Sequence, residues 1–144
     1  MNVRRLLDLK PIAEVETISE RETLSEVAKR LSMRKIGALV VTGADGGVSG
    51  IISERDVVRQ LSARGAGCLA SAVRETMTRT VVAASPKDSA DDVLAKMTAG
   101  RFRHMPVIEN DQLIGILSIG DVVKTKMEEI TAENEAMESM IRGF

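Results

Sequence analysis

Gly50-Ile51-Ile52-Ser53-Glu54-Arg55-Asp56-Val57-Val58 returns 65 positions later as Gly115-Ile116-Leu117-Ser118-Ile119-Gly120-Asp121-Val122-Val123. Working outward, Thr23-Leu24-Ser25-Glu26-Val27-Ala28-Lys29-Arg30-Leu31 matches Ser89-Ala90-Asp91-Asp92-Val93-Leu94-Ala95-Lys96-Met97 at a spacing of 66. Lys35-Ile36-Gly37-Ala38-Leu39-Val40-Val41 matches Arg101-Phe102-Arg103-His104-Met105-Pro106-Val107 at the same spacing. One residue is dropped in the turn that follows. A register held over three segments makes the chain a tandem duplication.

Each copy is read in the same order. Thr23 and Ser89 stand where helix N-caps belong, with Glu26 and Asp92 three residues on; the first fits the Ser/Thr-x-x-Glu capping pattern and the second approximates it. The helices that follow repeat apolar residues at three- and four-residue spacing, Leu24, Val27, Ala28 and Leu31 in one copy and Ala90, Val93, Leu94 and Met97 in the other. Ile36–Val41 and Met105–Ile108 then read as strands buried on both faces. The polar turns Gly43-Ala44-Asp45-Gly46-Gly47 and Glu109-Asn110-Asp111-Gln112 lead to second strands, Val48–Ile52 and Leu113–Leu117. A further helix opens near Arg55 or Gly120. The expected class is α/β, a tandem pair of β-α-β-β-α repeats. Because a half of about 60 residues buries too little surface to stand alone, the repeats are expected to pack sheet to sheet with pseudo-twofold symmetry.

The boundaries expected from this reading are a lead-in at 1–14, a first repeat at 15–60, a crossover and second lead-in at 61–79, a second repeat at 80–124 and a helical tail at 125–144. Val3-Arg4-Arg5-Leu6-Leu7 echoes Val73-Arg74-Glu75-Thr76-Met77, so each lead-in is expected to clamp the opposite half.

Composition excludes several classes. With 20 Lys and Arg against 21 Asp and Glu, the net charge of -1 lacks the basic excess a nucleic-acid backbone demands. No apolar run approaches the roughly 20 residues of a membrane span. The charged N-terminus does not resemble an export signal, so a cytoplasmic location is expected. The single cysteine, Cys68, leaves no intrachain disulfide and no thiolate metal site, and is expected to be a small loop residue. Phosphate-binding glycine loops, metal-ligand spacings and nucleophile-base pairs are missing, so no enzyme activity is expected.

The two motifs Arg34–Val41 with Gly50–Asp56, and Gly100–Val107 with Gly115–Asp121, resemble those of the CBS (cystathionine-β-synthase-type) domain family, in stand-alone bacterial form. The resemblance covers about residues 15–124. It implies a regulatory module that binds an adenosine-containing ligand in clefts between the repeats. AMP, ATP, NAD(H) and S-adenosylmethionine all fit.

The residues offer matching chemistry. Asp56 and Asp121 fall in the first turn of a helix, where a carboxylate is favoured and two acceptor oxygens suit a ribose 2′,3′-diol; the plainer role is a helix cap. Ser53 and Ser118 match the family position that approaches ribose or phosphate, with a turn hydroxyl as the alternative. With no Trp or Tyr in the chain, a purine needs aliphatic walls. By family position these are Ile36, Gly37 and Ala38, Thr80, Val81 and Val82, and Phe102 and Met105. Arg101 and Arg103, read as an extended stretch with side chains to one side, form a candidate phosphate site with His104. Arg55, at a helix start, is a second candidate. Each of these cations also fits a plain surface or structural role, and no metal site is expected.

The tail carries Met127, Ile130, Met137 and Ile141 close to a heptad seam, with Asn134 on it. A homodimer formed through helices is expected, with an unidentified downstream protein as target. Two functional classes remain open here: a sensor that responds to an adenine nucleotide, and a constitutive dimeric scaffold with vestigial clefts that recruits a partner through its tail.

Overall fold

The computed structural model describes residues 1–10 and 15–142. In chain order the elements are α1 (Val3–Asp8), β1 (Thr17–Ser19), α2 (Leu24–Arg34), β2 (Ala38–Thr42), β3 (Val48–Ser53), α3 (Glu54–Arg64), α4 (Ala90–Gly100), β4 (His104–Glu109), β5 (Gln112–Ser118) and α5 (Ile119–Ile141). Short 3-10 turns at Ala66–Ala70 and Val73–Glu75 join α3 to the second copy. Two compact units emerge. Residues 15–82 with 111–113 form one, and residues 1–10, 83–110 and 114–142 form the other.

In the first unit β1 runs parallel to β2 and β2 antiparallel to β3. Leu39, Val40 and Val41 are wholly buried, which accounts for the unbroken apolar run in β2. Leu24, Val27 and Leu31 of α2 pack with Leu39, Val41, Ile52 and Val57 into one core. Val73 and Met77 of the second lead-in join this core, and so does Cys68, which is buried rather than set in an open loop.

The second unit repeats the plan on β4 and β5, with Val93, Met97, Met105, Val107, Leu117 and Val122 in its core. Asn110 and Asp111 both take positive φ, 51° and 62°, as a two-residue hairpin of type I′ requires. Its first strand shrinks to one parallel bridge, Ala84 to Val107. Two prolines explain the loss. In the first copy the ladder extends through Glu20 N–H to Thr42 O at 3.0 Å and Val40 N–H to Glu16 O at 3.4 Å. The residues 66 positions on are Pro86 and Pro106, which have no N–H to give.

Each lead-in lies with the other copy. α1 places Val3 and Leu6 in the core of the second unit, and Val3 N–H donates to Asp88 O at 2.8 Å. The glycines that open the deciding motif make room for these lead-ins. A Cβ at Gly50 would meet Thr78 O at 2.7 Å and Met77 Sδ at 2.8 Å, and one at Gly115 would meet Leu7 Cδ2 at 2.5 Å. Leu7 and Met77 occupy the same place in the echoed lead-ins.

The caps invert the expectation. Thr23 accepts from Glu26 N–H, but Glu26 does not bond back. Its carboxylate is held instead by Arg30 Nε at 3.1 Å, one turn on. The full capping box forms at Ser89 and Asp92. The tail is not a separate element either, because α5 runs unbroken for 23 residues from Ile119.

Candidate functional site

Ser53 ends β3 and caps α3. Its N–H donates to Asp56 Oδ2 at 2.8 Å, its hydroxyl donates to the same oxygen at 3.0 Å, and Asp56 N–H donates to the hydroxyl at 3.4 Å. Glu54 N–H donates to Gly37 O at 3.0 Å, so the start of β2 is fastened to the start of α3. This brings Gly37, Ala38, Ser53 and Asp56 together. Asp56 Oδ1 is approached by the exposed guanidinium of Arg59, at 3.8 Å.

The second unit builds the same corner. Ser118 N–H donates to Asp121 Oδ2 at 2.9 Å, Asp121 N–H donates to the Ser118 hydroxyl at 3.1 Å, and Ile119 N–H donates to Arg103 O at 2.8 Å. Arg103, His104, Ser118 and Asp121 are thereby grouped. Lys10 is added from the lead-in, its Nζ 3.0 Å from Asp121 Oδ2 and 2.5 Å from Ile116 O. Burial raises the pKa of Asp121, but the Ser118 backbone hydrogen bond and the hydrogen bond and charge of Lys10 outweigh it and hold the carboxyl below its usual value.

Capping and ligand binding do not exclude each other here. A carboxylate has about four acceptor positions, and the capping box occupies Oδ2. Each carboxylate has a second oxygen, Oδ1, that the capping box does not use.

The other expected residues are spread more widely. Ile36 packs against the first core, and its N–H closes α2 on Leu31 O. Ala38 is 5% exposed and Met105 is fully buried, which makes Met105 a core side chain rather than an open wall. Phe102 packs against the second core. Thr80 and Val82 are exposed and Val81 half-buried, on a stretch without regular structure, while Arg55 is exposed in the first turn of α3. His104 opens β4, half-buried.

Arg101 and Arg103 do not lie on one extended stretch. Arg101 is not extended but sits in the left-handed region, φ 57° and ψ 38°, as the C-cap of α4. Lys35 ends α2 in the same way at φ 55°. A helix that turns straight into a strand needs such a residue, and a cation there faces the helix's negative end.

Sequence reasoning missed Lys10. A signal existed, because carrying the lead-in echo from Leu7 and Met77 three residues further pairs Lys10 with Thr80. It also gave no reason for Gly50 and Gly115.

The groove lining α5 is a different feature. About 540 Å³ of open space runs from Gly120 past Val123 and Met127 to Glu135, and every residue lining it belongs to this one helix. Such a surface presents a helix face and cannot enclose a purine. Among the described residues no helix is long and apolar enough to cross a membrane, and no group of three or more His, Cys, Asp or Glu is placed to hold a metal.

The duplicated unit and its paired corners define a CBS-type repeat pair. The family model for the CBS domain matches residues 5–63 and 73–128, and the chain belongs to that family. A CBS-domain-containing protein from Agrobacterium tumefaciens is 46% identical, with a TM-score of 0.83 over 87% of this chain and 92% of that one. A CBS domain pair solved in complex with 5′-methylthioadenosine and S-adenosyl-L-methionine is 25% identical, with a TM-score of 0.78 over 90% of this chain and 98% of that one. A CBS domain-containing protein of Arabidopsis thaliana is 28% identical over 99% of this chain, which spans only 26% of that relative's length.

Proposed function

We propose that the chain is a non-catalytic regulatory module that binds an adenosine-containing ligand, with the Asp56 and Asp121 carboxylates receiving ribose hydroxyls. The observation that carries this reading is the duplicated corner: each Ser-x-x-Asp capping box engages Oδ2, makes no use of Oδ1, and is fastened to the residue before the neighbouring strand. Ser89 and Asp92 form the same box as a plain cap, so what sets these two corners apart is their tie to the residue before β2 or β4, through Glu54 N–H to Gly37 O and Ile119 N–H to Arg103 O. The similar structure that holds two adenosine derivatives supports the ligand class. AMP, ATP and NAD(H) are the candidates within it, with S-adenosylmethionine beside them.

Binding is read out as a change in dimer packing or in affinity for a downstream protein, which requires the ligand to favour one of two states. The homodimer is part of the proposal. It is supported by the apolar side chains that α3 and α5 leave outside, Val58, Leu61, Val123, Met127 and Ile130. Mass spectrometry of small molecules released from protein purified without added ligand tests the reading. An adenosine derivative is expected, and a guanine nucleotide in its place would overturn it.

A further inference from the structure

The corner at the start of α5 carries a fixed cation that the corner at the start of α3 lacks. Lys10 Nζ uses two of its three donors, on Asp121 Oδ2 and Ile116 O, and its side chain is only 23% exposed. The matching residue of the other lead-in, Thr80, is uncharged and exposed. The cation paired with Asp56 is Arg59, 3.8 Å from Oδ1 with its side chain 69% exposed, where solvent and salt screen it. Arg101 and Arg103 are likewise exposed and form no ion pair among the described residues.

We propose that Lys10 makes the Asp121 corner selective for phosphorylated adenine ligands over unphosphorylated ones. The proposal rests on the reading of Asp121 as a ribose acceptor. An unpaired carboxylate repels an incoming phosphate. Lys10 cancels that charge in advance and, among the described residues, keeps one donor free, so a phosphate gains a charge-assisted hydrogen bond. A neutral nucleoside offers this donor only uncharged acceptors, which form the weaker hydrogen bond, and its hydroxyls still find Oδ1. The two corners therefore discriminate differently: phosphate is rewarded at Asp121, and the Asp56 corner depends more on the nucleoside itself.

The test is calorimetric titration of AMP and of adenosine into full-length protein carrying Asp56→Asn, which leaves the Asp121 corner to be read alone. AMP should bind at least about tenfold more tightly than adenosine. Adding Lys10→Met should reduce that ratio to within about threefold while adenosine affinity stays within about threefold of its starting value, and Lys10→Arg should retain the preference. An unchanged ratio in Lys10→Met overturns the proposal. Parallel loss of both ligands also overturns it, showing that Lys10 only holds the fold, as a lowered melting temperature would corroborate. If the parent protein binds but the Asp56→Asn protein binds neither compound, the ribose reading of Asp121 and this proposal fall together, whereas adenosine binding without a Lys10-dependent ratio removes this proposal alone.

Discussion

Lys10 Nζ and Asp121 Oδ2 stand 3.0 Å apart, joining the end of the N-terminal lead-in to the first turn of the last helix. The contact links residues 111 positions apart in the sequence, so it ties the start of the chain to the second copy as well as furnishing the candidate site.

That pairing sets a pH dependence. Asp121 titrates below its usual value in the folded protein, so the folded state favours the carboxylate. Its contribution is present above the unfolded value near 4 and disappears as pH falls through the lower folded value. Asp121→Asn should therefore flatten the acid limb of a plot of melting temperature against pH between about 5 and 2. An acid limb as steep as that of the parent protein would show that other carboxylates govern it.

The diol reading separates from capping by choice of ligand. Asp56→Asn and Asp121→Asn keep a cap acceptor but lose the charge, so each should weaken a ribonucleotide by roughly 1.5–3 kcal/mol and its 2′,3′-dideoxy analogue far less. Equal losses for both ligands, measured by titration calorimetry, would leave these carboxylates as caps alone.

The two glycines under the lead-ins should differ in tolerance. Gly50→Ala drives a methyl against a backbone oxygen, Thr78 O at 2.7 Å, and should cost about 1–3 kcal/mol in urea unfolding. Gly115→Ala meets only the end of the Leu7 side chain. Leu7 can turn aside, so the loss there should be smaller. The reverse order would mean that the first lead-in is the more rigidly seated.

Much of the fold was legible because duplication shows directly in the sequence. The matched Ser-x-x-Asp stretches located both corners, and the apolar runs located β2 and β4. What escaped depended on groups that a local pattern does not contain. Pro86 and Pro106 remove N–H groups at two rungs of a ladder, which reads as sequence but acts as lost pairing. Arg30 diverts Glu26 from its cap. Arg101 needs a left-handed backbone that nothing in an alternating reading predicts. Val57 and Val122 lie in their own cores, 6% and 0% exposed, whereas the next residues, Val58 and Val123, face outward. Lys10 reaches Asp121 through the fold, and only the weak echo between the lead-ins pointed to it.

Those outward valines bear on assembly. Light scattering on the full chain should give a dimer, and a chain ending at Lys126 should give one too, because Val58, Leu61 and Val123 remain. A monomeric truncation would move the interface to Met127, Ile130, Met137 and Ile141, all exposed on α5. A monomeric full chain would remove the dimer from the account.

The central claim is that the paired Ser-x-x-Asp corners bind an adenosine-containing ligand, and thermal unfolding with AMP, ATP, NAD(H) and S-adenosylmethionine against GMP and GTP tests it most directly. A ligand of the folded state adds RT ln(1 + [L]/Kd), about 2.7 kcal/mol at a hundredfold excess over Kd, which for a chain of this size is a rise of several degrees. At least one adenine compound should give that rise, the guanine nucleotides should not, and the protein carrying both Asp56→Asn and Asp121→Asn should lose it. No shift with any adenine compound at millimolar concentration, or an equal shift with GMP or GTP, would contradict the account.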